Sequence, residues 1–460
     1  MNLLFPVETL NREIDFRITL AAKLAEKDRS IFIGQYQFLQ RLIPHFKNGI
    51  YVGKNIFAKR SDVDSYQGYY RLKKRGFDIV YLHEEGAVFS GTEKDWQDKL
   101  SSQYNIDVFD ENDRVCVWGD FQADYDRGRI KNKKVPVITT GHPRFELYKK
   151  YRFLYDEDVR KIKERFGDYV LVNGNYGRAN HGGGLSYFFS DKGNYIVSDP
   201  VKRLQKIDYY VGSAIQLSKM VELVHHLAVR YPHINFVYRP HPVENHSYYY
   251  TVFKGVPNIH TVYEGSVGPW ILGSSAILHD GCTTAIEAQL SGIPVINYKP
   301  IYAESNSNYL PNQMGRRAQT IDEVATLLDE AFRDKTAYSA GFVLPEKAQR
   351  LMENFRSDAF DKLTEVIEER IGRAAKNDFA VPGNNVIRKV FLRREAKLQG
   401  SKFYNKMLGR KEGSFRLAEQ KFQGFDKVYI QDKIAMLEEV LQKKIDVQFY
   451  NKYLIRIGRK

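Results

Sequence analysis

The chain has 460 residues, more than one hydrophobic core usually serves, so two domains and an additional segment are expected. Apolar residues make up 43% and charged residues 27%, values ordinary for a soluble globular protein, and no window approaches eighteen uncharged apolar residues, which excludes a membrane-spanning helix. The net charge of +14 is concentrated at one end: residues 386–460 carry nineteen Lys and Arg against eight Asp and Glu, which leaves only about +3 for the rest. The two cysteines, Cys116 and Cys282, form no CxxC pair and no His/Cys cluster at metal spacing. That predicts a reducing cytoplasmic setting and no metal site. The opening MNLLFPVETLNREID lacks the basic start and apolar core of a signal peptide.

In chain order, NLLFPVE reads as a strand, LNREIDFRITLAAKLAEK as a helix by apolar spacing, and SIFIGQ as the next strand. FDIVYLHEEG is a strand that ends in His83, Glu84 and Glu85. RVCVWGD ends in Asp120, and VPVITTGHPRFEL delivers His142 and Arg144. Strand, polar tip and helix in repetition predict a doubly wound parallel sheet. The charged stretch 147–167 reads as an interdomain connection. A second series follows, with DYVLVNGNYGRANHGGG, a long amphipathic helix, INFVYRPHP, NIHTVYEG, and AILHDG running into CTTAIEAQLSGIPVINYKP. The predicted fold is therefore α/β, with two Rossmann-like sheets facing a cleft, over residues 1–150 and 151–375. A basic helical extension is expected over 376–460.

The C-terminal strand tips of such sheets border the ligand crevice, and this places several polar groups together. Arg239 and His241 can reach a phosphate from a turn stiffened by Pro242, or His241 simply caps a neighbouring helix. Gly281 permits close backbone approach. Thr283 and Thr284 bring hydroxyls to a helix N-terminus, whose free N–H groups and dipole favour phosphate. Glu287, inside that helix, is placed to accept from a ribose. Asp280 bonds a sugar hydroxyl or caps the helix. Asn173 and Arg178, in the Gly/Asn-rich loop, bind donor phosphate through side chain and backbone N–H groups, or belong to a plain surface loop. Adjacent Glu84 and Glu85 suit a general base, because crowded carboxylates raise each other's pKa. The alternative is a solvated loop tip.

RPHP followed by HDGCTTAIEAQLSGIPVINY resembles the C-terminal half of GT-B glycosyltransferases of bacterial surface polysaccharide synthesis, the group that includes capsule Kdo transferases. PVETLNRE, LHEEG, WGDFQ and TGHPRFEL resemble the N-terminal motifs of surface carbohydrate biosynthesis proteins. The resemblance spans about residues 1–335. It implies that Arg239, His241, Gly281, Thr283, Thr284 and Glu287 hold a nucleotide, with CMP favoured by the His-Pro pair. It also implies that Glu8, Arg12, Glu84 and Glu85 lie on the acceptor side, with His83 where the family pattern has Asp. The loop NGNYGRANHGGG carries no Asp or Glu, a departure from retaining Kdo transferases that leaves the stereochemistry open. No cofactor is implied beyond the activated sugar itself.

The expected activity is transfer of a sugar, first an ulosonic acid such as Kdo from CMP, to a glycan or lipid-linked glycan. A CDP-glycerol-type polyol phosphate transferase, a UDP-sugar transferase and a non-catalytic scaffold are the alternatives. In the tail, Lys and Arg alternate with Phe, Tyr, Ile and Leu, as suits an anionic inner-membrane surface. No nucleic-acid motif is visible, so nucleic acid is not expected as a partner. A solvated helical cap is the other reading of the tail.

Overall fold

The computed structural model describes residues 1–54, 56, 67–84, 86–301, 307–373, 378–407 and 421–460. The chain forms two compact units. One comprises Met1–Gly86, Leu100–Leu147 and Arg350–Lys460, and the other Ala87–Lys99 and Tyr148–Gln349. A single boundary near residue 150 therefore misses two crossings, at 87–99 and at 350.

The first unit is built on strands β1 (Asn2–Val7), β2 (Ser30–Gln35), β3 (Gly49–Val52), β4 (Phe77–Leu82), β5 (Arg114–Val117) and β6 (Val137–Thr139). They run parallel in the order β2-β1-β3-β4-β5-β6. Their apolar runs are buried throughout β1, β3 and β5, as befits a sheet covered on both faces. The helix Leu10–Leu24 is buried on almost every side because the helices Ala359–Arg373 and Lys427–Leu441 pack against it.

The second unit has β7 (Tyr169–Asn173), β8 (Asn235–Arg239), β9 (Ile259–Thr261), β10 (Ala276–His279), β11 (Val295–Tyr298) and β12 (Arg316–Ala318), all parallel, in the order β12-β11-β10-β7-β8-β9. Its long helix, Pro200–Arg230, begins at a proline capped by Asp199, which accepts from the Lys202 N–H at 3.1 Å. Only its C-terminal half packs into the core, through Leu217, Met220, Leu223, Val224 and Leu227. Each such side chain contributes about 1.5–3 kcal/mol on burial.

The segment expected as a basic helical extension does contain the helices Asn384–Met407 and Lys427–Leu441. It then departs from that reading, because an antiparallel hairpin, β13 (Ile445–Asn451) and β14 (Leu454–Arg459), joins the first sheet through β14 against β2, Leu454 opposite Gly34 and Ile457 opposite Ile31. LIRIGR has the alternation of a half-buried strand, and it covers the otherwise bare edge of β2. The stretch 345–372 does not form one continuous helix. Arg350 and Trp118 carbonyls pair with the N–H groups of Phe121 and Glu353, and the helix starts only at Ala359. Tertiary hydrogen bonds outweigh helix propensity there.

Candidate functional site

In both sheets the strand order reverses beside the first strand, and at that reversal the loops leaving the C-terminal ends diverge and leave a crevice. In the second unit the reversal lies between β7 and β10. The loops that follow them border a cavity of about 120 Å³, closed by the end of β11 and by one stripe of the long helix.

Its chemistry is polar and mixed in charge. Arg178 lies over the Tyr209 ring at 4.5 Å, and burial lowers its pKa, as it does that of Lys299, which Asp280 partly restores. Lys299, 6% exposed at the tip of β11, donates to the Asp280 carbonyl oxygen at 2.8 Å. Burial raises the Asp280 carboxyl, against the opposing Lys299 charge. Tyr176 is 1% exposed and directs its hydroxyl at the Asp280 carboxyl, while the Ser213 hydroxyl on the helix has no hydrogen-bond partner among the described residues. Gln216 ties the helix to β11 by donating to the Tyr298 carbonyl at 2.9 Å.

Two glycines shape this crevice. A Cβ on Gly174 would stand 2.0 Å from the Tyr176 ring, so only glycine lets that ring fold back toward the strand end. Gly281 has φ +108°, and a Cβ there would meet Asn312 at 2.6 Å. His279 fixes the same turn: its Nδ1 accepts from the Gly281 N–H at 2.9 Å and its Nε2–H donates to the Met314 carbonyl at 3.3 Å. Burial pushes its pKa down to about 3, so the ring is neutral and a single tautomer satisfies both contacts.

Of the residues singled out in the sequence, Arg178, Asp280 and Gly281 line this cavity. Arg239 does not act as a free phosphate ligand. Its guanidinium is buried over Trp270 and donates to the Glu264 and Gly265 carbonyls at 2.7 and 3.3 Å, with its pKa lowered by burial to about 10. The Trp270 ring and the carbonyls of 264–265, of which Glu264 also accepts the Trp270 Nε1–H at 3.1 Å, account for this. His241 is half-buried in a turn, its Nδ1 accepting from the Val243 N–H at 3.3 Å, and Pro242 is exposed. Asn173 is buried, with its Nδ2 toward the Arg239 carbonyl at 3.5 Å and its Oδ1 without a partner among the described residues. Thr283 precedes a helix of only seven residues, Thr284–Leu290, in which Thr284 and Glu287 are buried. The N–H groups of Ala285 and Ile286 are already taken by the Cys282 and Thr283 carbonyls, so this terminus offers fewer donors than a regular helix start.

In the first unit the reversal between β1 and β3 is occupied by charge. Glu84, 1% exposed, meets Arg17 at 3.2 Å through one oxygen and His142 Nε2 at 3.1 Å through the other. His142 Nδ1 accepts from the Arg144 N–H at 3.2 Å, so the Nε2 carries the proton and donates to Glu84. Burial lowers the His142 pKa to about 4 despite that carboxylate. Burial would raise Glu84, yet His142, Lys54 and Arg17 together hold it well below the usual range. The expected raised carboxylate is thus corrected: Glu84 is an enclosed ion with both oxygens engaged. Glu85 lies outside the described residues. His83 is buried beside Tyr81 and Tyr104 and meets Gln122 at 3.1 Å, in the interior of the unit. Glu8 pairs with Lys54 and Lys421 at 3.4 and 2.9 Å, Arg12 lies 3.5 Å from Glu13, and Arg144 is buried over Phe145. Asn354 secures the His142 loop by accepting its N–H at 2.9 Å and donating to its carbonyl at 3.0 Å.

Sequence reasoning missed Tyr176, Lys299 and His279. Lys299 ends a predicted strand, and the strand-tip rule would have found it. Tyr176 has no such signal, since one tyrosine among 31 looks like core.

No protein-family model matches the chain, and no curated protein matches it. Solved structures with a similar chain course include the UDP-GlcNAc 2-epimerase of Methanocaldococcus jannaschii, at 11% identity and a TM-score of 0.48 over 80% of this chain and all of that one. The wall teichoic acid polymerase TagF is similar at 12% identity and 0.45, over 82% and 90%. Anabaena HepE, solved with UDP-glucose, is similar at 12% and 0.41, over 81% and 99%. Likenesses of this size do not bear on substrate. Among the described residues, no helix is long and apolar enough to cross a membrane, and no group of three His, Cys, Asp or Glu is placed to hold a metal.

Proposed function

We propose that the chain is a glycosyltransferase of bacterial surface polysaccharide synthesis that binds a nucleotide-activated sugar in the polar crevice of its second unit. The observation that carries this is the placement of Arg178, Lys299, Asp280 and the Tyr176 hydroxyl at the strand-order reversal. A buried cation, Lys299, and a half-buried one, Arg178, suit the phosphate of an activated donor, and they stabilise the charge that gathers on it as the glycosidic bond breaks. Asp280 and Ser213 are then available to sugar hydroxyls. Glu84 is not assigned the base, because Arg17 and His142 occupy its oxygens.

A CMP-linked ulosonic acid is the first donor to test, on the strength of the RPHP and HDGCTTAIEA resemblance. A thermal-shift panel of CMP, CDP, UDP and GDP decides it, since a ligand that binds only the folded state raises the melting temperature. A CMP-selective shift supports the CMP donor. A CDP shift with phosphodiester product redirects the reading to polyol phosphate transfer, a UDP shift to a UDP-sugar, and no shift with any of them rejects nucleotide binding.

The helix Asn384–Met407 supports a membrane-surface acceptor. Arg388, Lys389, Arg393 and Lys397 are exposed along it, with Leu392 exposed among them, and each basic residue adds on the order of 1 kcal/mol at an anionic bilayer. Co-sedimentation with phosphatidylglycerol vesicles that is lost on Arg388, Lys389, Arg393 and Lys397→Glu, and absent with neutral vesicles, is the expected result. Equal sedimentation of the charge-reversed variant would reject that surface.

A further inference from the structure

Behind the crevice stands a buried carboxyl with no part in the function proposed so far. Glu244 is 5% exposed, on the loop that follows β8. One of its oxygens accepts the Tyr176 N–H at 2.6 Å, and the other accepts the Tyr249 hydroxyl from the helix His246–Val252. Around it the two loops are laced together. Gly182 N–H donates to the Val243 carbonyl at 2.8 Å, Asn245 N–H to the Asn180 carbonyl at 2.9 Å, and the Asn180 side chain to the Asn245 carbonyl at 3.1 Å. Glu244 therefore holds the residue whose phenol lines the cavity.

We propose that Glu244 is a positioning residue that also sets, by gaining or losing one proton, how strongly the crevice takes an anion. Both protonation states can keep the same contacts. As carboxylate it accepts from Tyr176 N–H and Tyr249 O–H; as acid it still accepts from Tyr176 and donates to the Tyr249 oxygen, because a hydroxyl serves as either. The proton thus changes charge without dismantling the loop. The titratable groups around Glu244 are Tyr176 and His181 from the β7 loop, Tyr238 on β8, His241 on its own loop, His246 and Tyr249 on the helix, and Asp280 from the β10 loop. No lysine or arginine is among these groups, and burial lowers the pKa of His181. In line with that, burial raises the Glu244 pKa to about 7, where its hydrogen bonds from Tyr249 and Tyr176 limit the rise and Asp280 adds to it. An anion arriving among Arg178, Lys299 and Tyr176 adds negative charge near Glu244, so binding and proton uptake are linked.

This rests on the crevice being an anion site, and the experiment separates the two. The probes are inorganic sulfate and UDP-glucose, neither of which changes charge between about pH 6 and about pH 8. Their affinities are measured by calorimetry across that range on the whole chain and on Glu244→Gln, which imitates the protonated acid. The expected result is a wild-type affinity about three- to tenfold weaker at the upper pH, and a Glu244→Gln variant that keeps the tighter value throughout. Parallel pH profiles in the two proteins overturn the proposal and leave nucleotide binding standing. Sulfate binding with the expected profile but no UDP-glucose binding supports the switch while removing that nucleotide sugar as ligand. Absence of both overturns the switch and the anion site together. Hydrogen exchange on Glu244→Ala provides the positioning readout: the Tyr176 and Gly182 amides should exchange at least about tenfold faster, with Glu244→Gln restoring protection. Unchanged exchange in the alanine variant would overturn the positioning role.

Discussion

Two parallel sheets in one chain reverse their strand order in the same way, and the two reversals are filled in opposite fashion. In the first unit Arg17, Glu84 and His142 interlock, with every charged group facing another. In the second, Arg178, Lys299, Asp280 and Tyr176 border a cavity, and Ser213 leaves a hydroxyl unpartnered among the described residues. Topology supplies the crevice in both. Whether it becomes a scaffold or a binding site depends on whether the polar groups are satisfied from within.

The largest expected effect tests the filled reversal. Glu84→Ala strands the buried Arg17 charge and removes the acceptor of His142, and should cost about 3–5 kcal/mol in urea unfolding. A loss under about 1 kcal/mol would mean that the network is open to solvent and that Glu84 is available for chemistry after all. For the open reversal, Lys299→Met should weaken nucleotide affinity by about 10- to 100-fold through the loss of a charge-assisted contact. Unaltered affinity would move the phosphate elsewhere.

Acid should strain both reversals. His142 and His279 are held neutral, with pKa values lowered by burial to about 4 and about 3. The unfolded chain takes up protons that the folded chain refuses, so stability is full above about pH 6.5 and declines below it, by on the order of 1 kcal/mol per pH unit for each ring. A melting temperature that stays flat from about pH 6.5 to about pH 4.5 would contradict this, whereas His279→Asn should shallow the decline. The smallest effect separates resemblance from geometry. His241→Ala should change nucleotide affinity less than about threefold, because His241 is in a turn apart from the residues that line the cavity. A tenfold loss would return the His-Pro turn to the site.

The repeat of apolar strand, polar tip and helix was legible from residue types alone, as were the parallel order it implies and the strand tips that carry Arg178, Asp280 and Gly281. These follow from periods of 2 and 3.6 and from the rule that binding occurs beyond strand ends. Position along the chain says which residues reach a tip, but it leaves open whether a tip residue faces a ligand or a neighbour. Arg239 illustrates this: its place at the end of INFVYR suits a phosphate, yet the carbonyls of Glu264 and Gly265, some 25 residues on, claim its donors. Glu84 was separated from solvent by Arg17, 67 positions earlier, and by His142, 58 positions later. No local pattern encodes such distances.

The same reason explains the C-terminal region. Its charge was evident in the composition, but its return to the edge of β2 depends on pairing across some 420 residues. By itself the sequence determined the elements up to the C-terminal hairpin, the two parallel sheets and the candidate loops, because these depend on local periodicity and turn chemistry. Only the tertiary structure decided that Glu84 is an enclosed ion, that Tyr176 and Lys299 border the crevice, and that Glu244 holds the loop behind them. Burial and hydrogen-bond satisfaction are properties of what surrounds a group, and the surroundings come from remote parts of the chain.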